Sequence, residues 1–548
     1  MPLPQLTIDQ APAKVAMHPA RADVPLFVGM VARSERPLPP AHTAWLEQSD
    51  YAGSGQLARS AVQQESLLDV PMPIDSFAEF EQLFDWRSRP LQSGSPDRVP
   101  SRLGLAVEQF FNEGGARCWV VRTGDPLPVM EQDASTEANP DDIAAYQAHL
   151  SWAPANAPAD AAERVPLLPG LVGNDASCDP QDPATWRASG HILGLDEAAY
   201  ICLPDLPDLV SGPAIRLPDP DFPVIGEEQF IPCAPEDDPV PQPEGIGRPA
   251  LAAPRMGLEE YRTWAIATRH LLTMMAGRTS AAHRRDVIHV AALPLPDLGD
   301  PNMPAEASTW PLSLDDTNLA ELDGLGLFSD QLVGSGRQVL AYPWLATKQS
   351  TSQPEAICGG EGALLGLIAR RTLGSGLHKV ATGPLVSGVR DLEPAFPADI
   401  LRREPVDSPY QWLGDCLCLF GWRRSDLHLL CDVTTSRQDA WRDGQASRIV
   451  GALLRHARLI GQEVAFGDNG PASWSRAKES IEQLLGQFWQ GGALAGGSAA
   501  EAFEVQCDRS TMLQSDIDQG RVIANVRFRP TRTLQHIAVS LDVVGGGA

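Results

Sequence analysis

No run of about eighteen apolar residues occurs in the 548-residue sequence, so it holds no candidate for a membrane-spanning helix and no membrane insertion is expected. Its first residues, MPLPQLTIDQ, lack the basic stretch leading into an apolar one that marks a cleaved secretion signal, and a cytosolic chain is expected. HExxH, GxSxG, EF-hand and GxxxxGK[ST] motifs are all missing. The eleven histidines are scattered without metal spacing, and neither enzyme chemistry nor a cofactor finds a foothold. Positive charge is scarce too: 43 Lys and Arg stand against 70 Asp and Glu, a formal net charge of −27. Such a surface repels phosphate backbones and anionic membranes, which argues against nucleic acid as a main partner and favours basic proteins. The nine cysteines are odd in number, and Cys416, Cys418 and Cys431 have no fourth ligand at zinc spacing. They read as reduced, buried thiols.

What the sequence does contain is periodicity. Its length exceeds one ordinary core. Residues 1–23 read as an extended arm with a short alternating patch at Leu6 and Ile8. Over 24–409 the rhythm is that of an α/β domain with a mainly parallel sheet. PLFVGMV begins a buried strand, and PIDSFAEFEQLF a helix capped by Ser76 and Glu79 with Phe77, Phe80 and Phe84 on one face. A second helix over 101–113 turns Leu103, Val107, Phe110 and Phe111 inward, and ARCWVVRT follows as a strand buried on both faces. AAYICLPDL, DVIHVAALPLP and RQVLAYPWL give further strands, with a helix over 258–275 among them. His289, in VIHVAAL, reads as a satisfied core histidine. Loop-rich insertions interrupt the pattern near 124–187, 211–254 and 297–334. GGEGALLGLIARRTLGSG reads as a loop entering a helix, and no nucleotide-binding context surrounds it.

From 410 to 548 the pattern changes to a separate α+β domain. Strands DCLCLFGW and DLHLLCDV precede two amphipathic helices, one with Ile449, Leu453, Ala457, Ile460 and Val464 on a side, the other with Trp474, Ala477, Ile481, Leu484, Leu485 and Phe488. His456, beside the first apolar face, reads as a packing residue. Two alternating strands close the chain. Val522, Ala524, Val526 and Phe528 mark the first, Pro530 breaks the run, and Ile537, Val539, Leu541 and Val543 mark the second. Only a glycine-rich stub follows the second strand here, so its outer edge is expected to be open to a partner, a second copy of the chain.

In order along the chain, FVGMV, PIDSFAEFEQLF, LAVEQFFNEGGARCWVVR, YPWL, GGEGALLGLIARRTLGSGLHKV, FWQGGALAGGSAAEAF and VQCDRSTMLQSDIDQGRVIANVRFRPTRTLQHIAV resemble the contractile tail sheath family of phages and phage-tail-like injection systems. The last segment, with Asp508, Asp516, Asp518, Gly520 and Pro530, is the most specific. The resemblance implies a central α/β domain that is subtilisin-like in fold and lacks the active site, and a structural subunit rather than an enzyme. It implies a helical stack of rings around an inner tube, contracting to drive it. The arm, with Leu6 and Ile8, and the C-terminal strand, with Ile537, Val539, Leu541 and Val543, would extend the sheets of neighbouring subunits. The helix beginning at Trp474 would dock on the tube, with Arg476 and Lys478 as charged contacts. Implied partners are further copies, the inner tube protein, and baseplate proteins or sheath paralogues. Assembly would take place in the bacterial cytoplasm, as part of a phage tail or of an injection particle that can be released outside the cell.

The start PLPQLTIDQAPAKV departs from the family's PGVY-like opening, and DLHLLCDVTTSRQDAW matches its strand and turn only loosely. A specialised ring next to the baseplate is therefore an alternative. A subtilisin-like hydrolase and a monomeric carbohydrate- or surface-binding protein are competitors of other classes.

Overall fold

A computed structural model describes residues 22–49, 51, 57–92, 94–130, 170–171, 178–179, 182–212, 214, 251–276, 284–297, 335–395, 409–436, 438–465, 470–518, 521–531 and 537–544. The predicted arm with Leu6 and Ile8, most of the three predicted insertions and Gly520 lie outside these residues. The strands considered are β1 (Pro25–Met30), β2 (Pro71–Ile74), β3 (Cys118–Gly124), β4 (Tyr200–Cys202), β5 (Ile288–Ala292), β6 (Gln338–Tyr342), β7 (Cys418–Arg423), β8 (Asp426–Leu429), β9 (Phe503–Gln506), β10 (Arg521–Phe528) and β11 (Ile537–Val544). The helices are α1 (Phe77–Leu83), α2 (Arg102–Asn112), α3 (Leu206–Ser211), α4 (Leu258–Ala276), α5 (Glu361–Ser375), α6 (Gly444–Ala465) and α7 (Pro471–Gln490). Among the described residues no helix is long and apolar enough to cross a membrane.

An eight-stranded sheet runs in the order β8-β7-β6-β5-β4-β1-β3-β2. From β7 to β3 every pairing is parallel, and an antiparallel strand, β8 or β2, closes each edge. The sequence dictates this arrangement through strands that are apolar on both faces, which only a sheet covered on both sides can bury. On β1, Phe27 enters one apolar cluster while Leu26, Val28 and Met30 enter another; on β3, Cys118 and Val120 part from Trp119 and Val121 in the same way. Leu103, Val107 and Phe110 of α2, Leu364 and Ile368 of α5 and Ile449 and Leu453 of α6 belong to the first cluster. Leu206 and Leu209 of α3 and Tyr261, Trp264 and Leu271 of α4 belong to the second.

Helix starts follow their caps. Ser76 Oγ accepts from the Glu79 N–H at 3.2 Å, and Ser101 Oγ from that of Gly104 at 3.1 Å. The reciprocal arm of the expected capping box closes elsewhere, since Glu79 Oε2 accepts from the Asp75 N–H, 2.8 Å away, rather than from Ser76. Phe80 and Phe84 are buried and stack in sequence with Phe77, which is half-buried.

The glycine-rich stretch before and within α5 is a packing seam. A Cβ on Gly362 would stand 2.1 Å from the Ala106 carbonyl oxygen, and one on Gly366 2.5 Å from that of Phe110. Only glycine lets the backbones of α5 and α2 approach so closely.

Two sequence expectations meet a different arrangement. β7 and β8, read as opening the C-terminal domain, pair into the large sheet through Ala341 with Cys418 and Tyr342 with Leu419. His289 is fully buried, yet neither ring nitrogen has a hydrogen-bond partner, and burial pushes its pKa down to about 4. It is a neutral core histidine without the partners expected of one. Cys416 ends a short helix and Cys418 begins β7, so the two thiols enter different clusters. Among the described residues no group of three or more His, Cys, Asp or Glu could hold a metal ion.

Candidate functional site: the C-terminal ladder and its helix

β9, β10 and β11 form a separate three-stranded antiparallel sheet with β10 in the middle. Alternation along β10 is obeyed: Val522, Ala524, Val526 and Phe528 are buried, while Asn525 and Arg527 are exposed. On one side Val526 faces Val505 of β9. On the other the predicted residues Ile537, Val539, Leu541 and Val543 of β11 register with Phe528, Val526, Ala524 and Val522 in turn. The ladder is in register over all eight residues and is closed within the one chain. β9 and β11 are the edges, and among the described residues nothing pairs with the outer side of β11.

Beneath the ladder lie α6 and α7. Ile449, Leu453, Ala457 and Ile460 of α6 and Trp474, Ala477, Ile481, Leu484, Leu485 and Phe488 of α7 are buried in one cluster with the β10 residues. The side chain of Val464 lies outside the described residues. His456 Nε2 lies 2.9 Å from Ser480 Oγ and 3.1 Å from the Ser480 carbonyl oxygen, joining the two helices.

Where the chain leaves β10 it is pinned. The Ala495 N–H donates to the Arg529 carbonyl at 2.8 Å, Thr531 to Ala493 at 3.1 Å, and Arg529 to Ala502 at 3.0 Å. At the other end of β10, Asp516 Oδ2 accepts from the Leu513 N–H at 2.8 Å and Oδ1 pairs with Arg521. Asp518 accepts from Gln514 Nε2 at 2.7 Å, and Asp508 from the Ser510 N–H at 2.7 Å. The aspartates singled out in the sequence thus build the turn that delivers the chain into β10.

Arg476 is exposed on α7, its guanidinium 3.2 Å from Ser473 Oγ. Lys478 stands 3.8 Å from Glu482 one turn on, with both side chains about two-fifths exposed. Glu479 is exposed as well, so the cations of α7 are interspersed with acids rather than gathered into a cationic patch.

Sequence reasoning passed over a buried carboxyl cluster at the C-terminal end of the parallel strands. Asp205 Oδ2 accepts from the Met30 N–H at 2.6 Å, and Arg89 and Arg102 both pair with Asp208. Burial raises both Asp205 and Glu361 to about 7. The available signal was an acid directly after an apolar strand and another among glycines. The adjoining cleft, of about 130 Å3, is lined by Ser211, and among the described residues that line it there is no histidine.

No family model and no curated protein sequence matches the chain. Among solved structures, a chain of the anti-feeding prophage baseplate in its contracted state matches with a TM-score of 0.51 and 17% identity, over 99% of this chain and 98% of that one. The protein is similar in fold to this baseplate component. The helical sheath of the anti-feeding prophage in its contracted state matches with a TM-score of 0.46, 16% identity and 98% of each chain. The contracted sheath complex of an extracellular contractile injection system, PVC, matches at 0.47 and 14%, over 94% of this chain and 90% of that one. The similar structures are a baseplate and two sheaths in their contracted states, and this chain shares with the first a fold built on a large mixed sheet and helices.

Proposed function

We propose that the protein is a structural sheath subunit of a contractile injection system or phage tail, polymerising around an inner tube and contracting to drive it. The observation that carries this reading is the fold, similar along almost the whole chain to a component of a contracted baseplate. In this reading β11 pairs with the β10 edge of a neighbour, and the N-terminal arm extends another sheet, so that each copy is stitched to others by β-augmentation. Arg529–Thr531, pinned by backbone hydrogen bonds, is the fixed point from which β11 departs. The exposed face of α7, with Arg476 and Lys478, turns to the tube. Contraction re-docks rigid bodies while the exchanged strands stay paired.

A baseplate-proximal ring is the second reading, favoured by the fold match to a baseplate structure. A hydrolase is the reading of another class; among the described residues lining the cleft at the strand ends no histidine stands by Ser211. Electron microscopy of the purified full chain tests the proposal. Tubes or cog-wheel fragments are expected of a main sheath and single rings of the specialised paralogue, whereas small isolated particles at every concentration would overturn both. Strong covalent labelling by a serine-reactive fluorophosphonate would restore the hydrolase.

A further inference from the structure

We infer that the cleft walled by Trp45, Tyr51, Trp119 and Trp186 is a binding site for a neutral pyranose ring of a glycan. The cleft lies at the N-terminal end of the parallel strands, away from both the buried carboxyls and the C-terminal ladder, and is independent of whether the chain polymerises. Its volume of about 300 Å3 is at the lower end for small-molecule sites. Three of the thirteen tryptophans line this one cleft, brought together from distant parts of the sequence.

The walls are packed against one another and against the fold. Trp45 stacks on Tyr51 with ring centroids 5.5 Å apart and leans on Trp119 at 5.6 Å. Trp186 donates its indole N–H to the Asp179 carbonyl at 3.1 Å and lies against Gly194, where a Cβ would come within 2.2 Å of the ring. Tyr51 and Trp119 are buried, while Trp45 and Trp186 are half-exposed. Rigid aromatic faces give large contact area at little cost in side-chain entropy, and the C–H face of a sugar ring is the flat, weakly polar surface that fits them.

The polar groups decide the class of ligand. Glu197 Oε1 accepts from Trp119 Nε1 at 2.7 Å and from Arg117 Nε at 2.9 Å, which orients the carboxylate and leaves Oε2 as an acceptor. Asp196, 38% exposed, has Arg458 at 3.6 Å. Arg59 already lies over the Tyr51 ring at 5.5 Å and Arg117 over Trp119 at 5.6 Å. A cationic ligand would therefore meet rings and carboxylates that already hold guanidinium groups. An anion would meet two carboxylates, each already paired with a guanidinium group. A neutral ring with hydroxyl donors at its edge and C–H groups on its face uses what remains, the half-exposed rings of Trp45 and Trp186 and the carboxylate oxygens beside them.

The test is saturation-transfer NMR and calorimetry on the full chain with methyl glycosides of glucose, galactose, mannose and N-acetylglucosamine, alongside tetramethylammonium and indole. At least one glycoside is expected to bind at concentrations on the order of 10 mM with transfer to its ring C–H protons. Trp186→Ala, at a half-exposed wall, is expected to weaken that binding about tenfold or more. Asp196→Asn, which keeps the shape, serves as a second variant and is expected to shift affinity among the glycosides without changing the unfolding midpoint. The inference is overturned if no glycoside binds the wild type, if Trp186→Ala binds as the wild type does, or if tetramethylammonium or indole binds in their place.

Discussion

Asp286 stands among three arginines. Its buried carboxylate takes Arg284 Nη2 at 3.0 Å and Arg458 Nη2 at 2.7 Å, with Arg455 Nη1 at 3.8 Å. These arginines hold its pKa far below the carboxylate range against the opposing effect of burial. Because Arg455 and Arg458 belong to α6 and Asp286 precedes β5, the cluster binds that helix to the sheet. Asp286→Ala would strand the fully buried Arg284, and a loss of about 3–5 kcal/mol is expected in denaturant unfolding. Asp205 and Glu361 act in the opposite sense. Their folded pKa values near 7 lie above those of free carboxyls, so their stability contribution is complete below about pH 4 and is lost as pH rises through 7. Asp286 instead contributes above the ordinary Asp value and loses its contribution as pH falls. Thermal midpoints are therefore expected to fall from pH 5 to 8, and Asp205→Asn with Glu361→Gln to flatten that decline. An unchanged slope in the double variant would refute the assignment.

Among elements, the α2–α5 seam brings two helix backbones close together. Gly362→Val is expected to cost at least about 1–3 kcal/mol, seen as a lower urea midpoint, because the obstructing atoms are backbone and cannot rotate away. This seam also marks where sequence reading stops. Leu103, Val107 and Phe110 announce their helix by spacing, and β10 announces its alternation, because both patterns are local. The glycines of α5 read as a loop entry, since their partner Ala106 lies far away in sequence. DCLCLFGW is visible as a strand, but an apolar run does not name its neighbour, so its place beside β6 emerges only on folding. Of the candidate site, the alternation of β10 was legible, while the register of β11 on β10 within the one chain was not. Lys478 was legible as a charge and not as half of a pair with Glu482. The aromatic cleft carries no sequence signal, because Trp45, Trp119 and Trp186 share no segment.

At the scale of the whole molecule the two sheets behave differently. The large sheet ends on the antiparallel strands β8 and β2, and the smaller one on β9 and on β11, the last described strand. Deleting residues 535–548 is therefore expected to abolish rings and tubes while leaving the central sheet folded. Electron microscopy reads the first outcome and far-UV circular dichroism with unfolding cooperativity the second. Normal polymerisation of the truncated chain would remove β11 from the assembly.

The in-register ladder has a thermodynamic corollary. If β11 docks on a neighbour, it makes the same eight backbone pairings that it makes within its own chain, so these cancel between closed monomer and linked polymer. The choice then rests on the effective concentration of a tethered strand for its own edge against the true concentration of neighbours. Such a subunit stores itself: diluted, it stays shut, and aligned on a template that crowds edges together, it opens without any bond being strengthened.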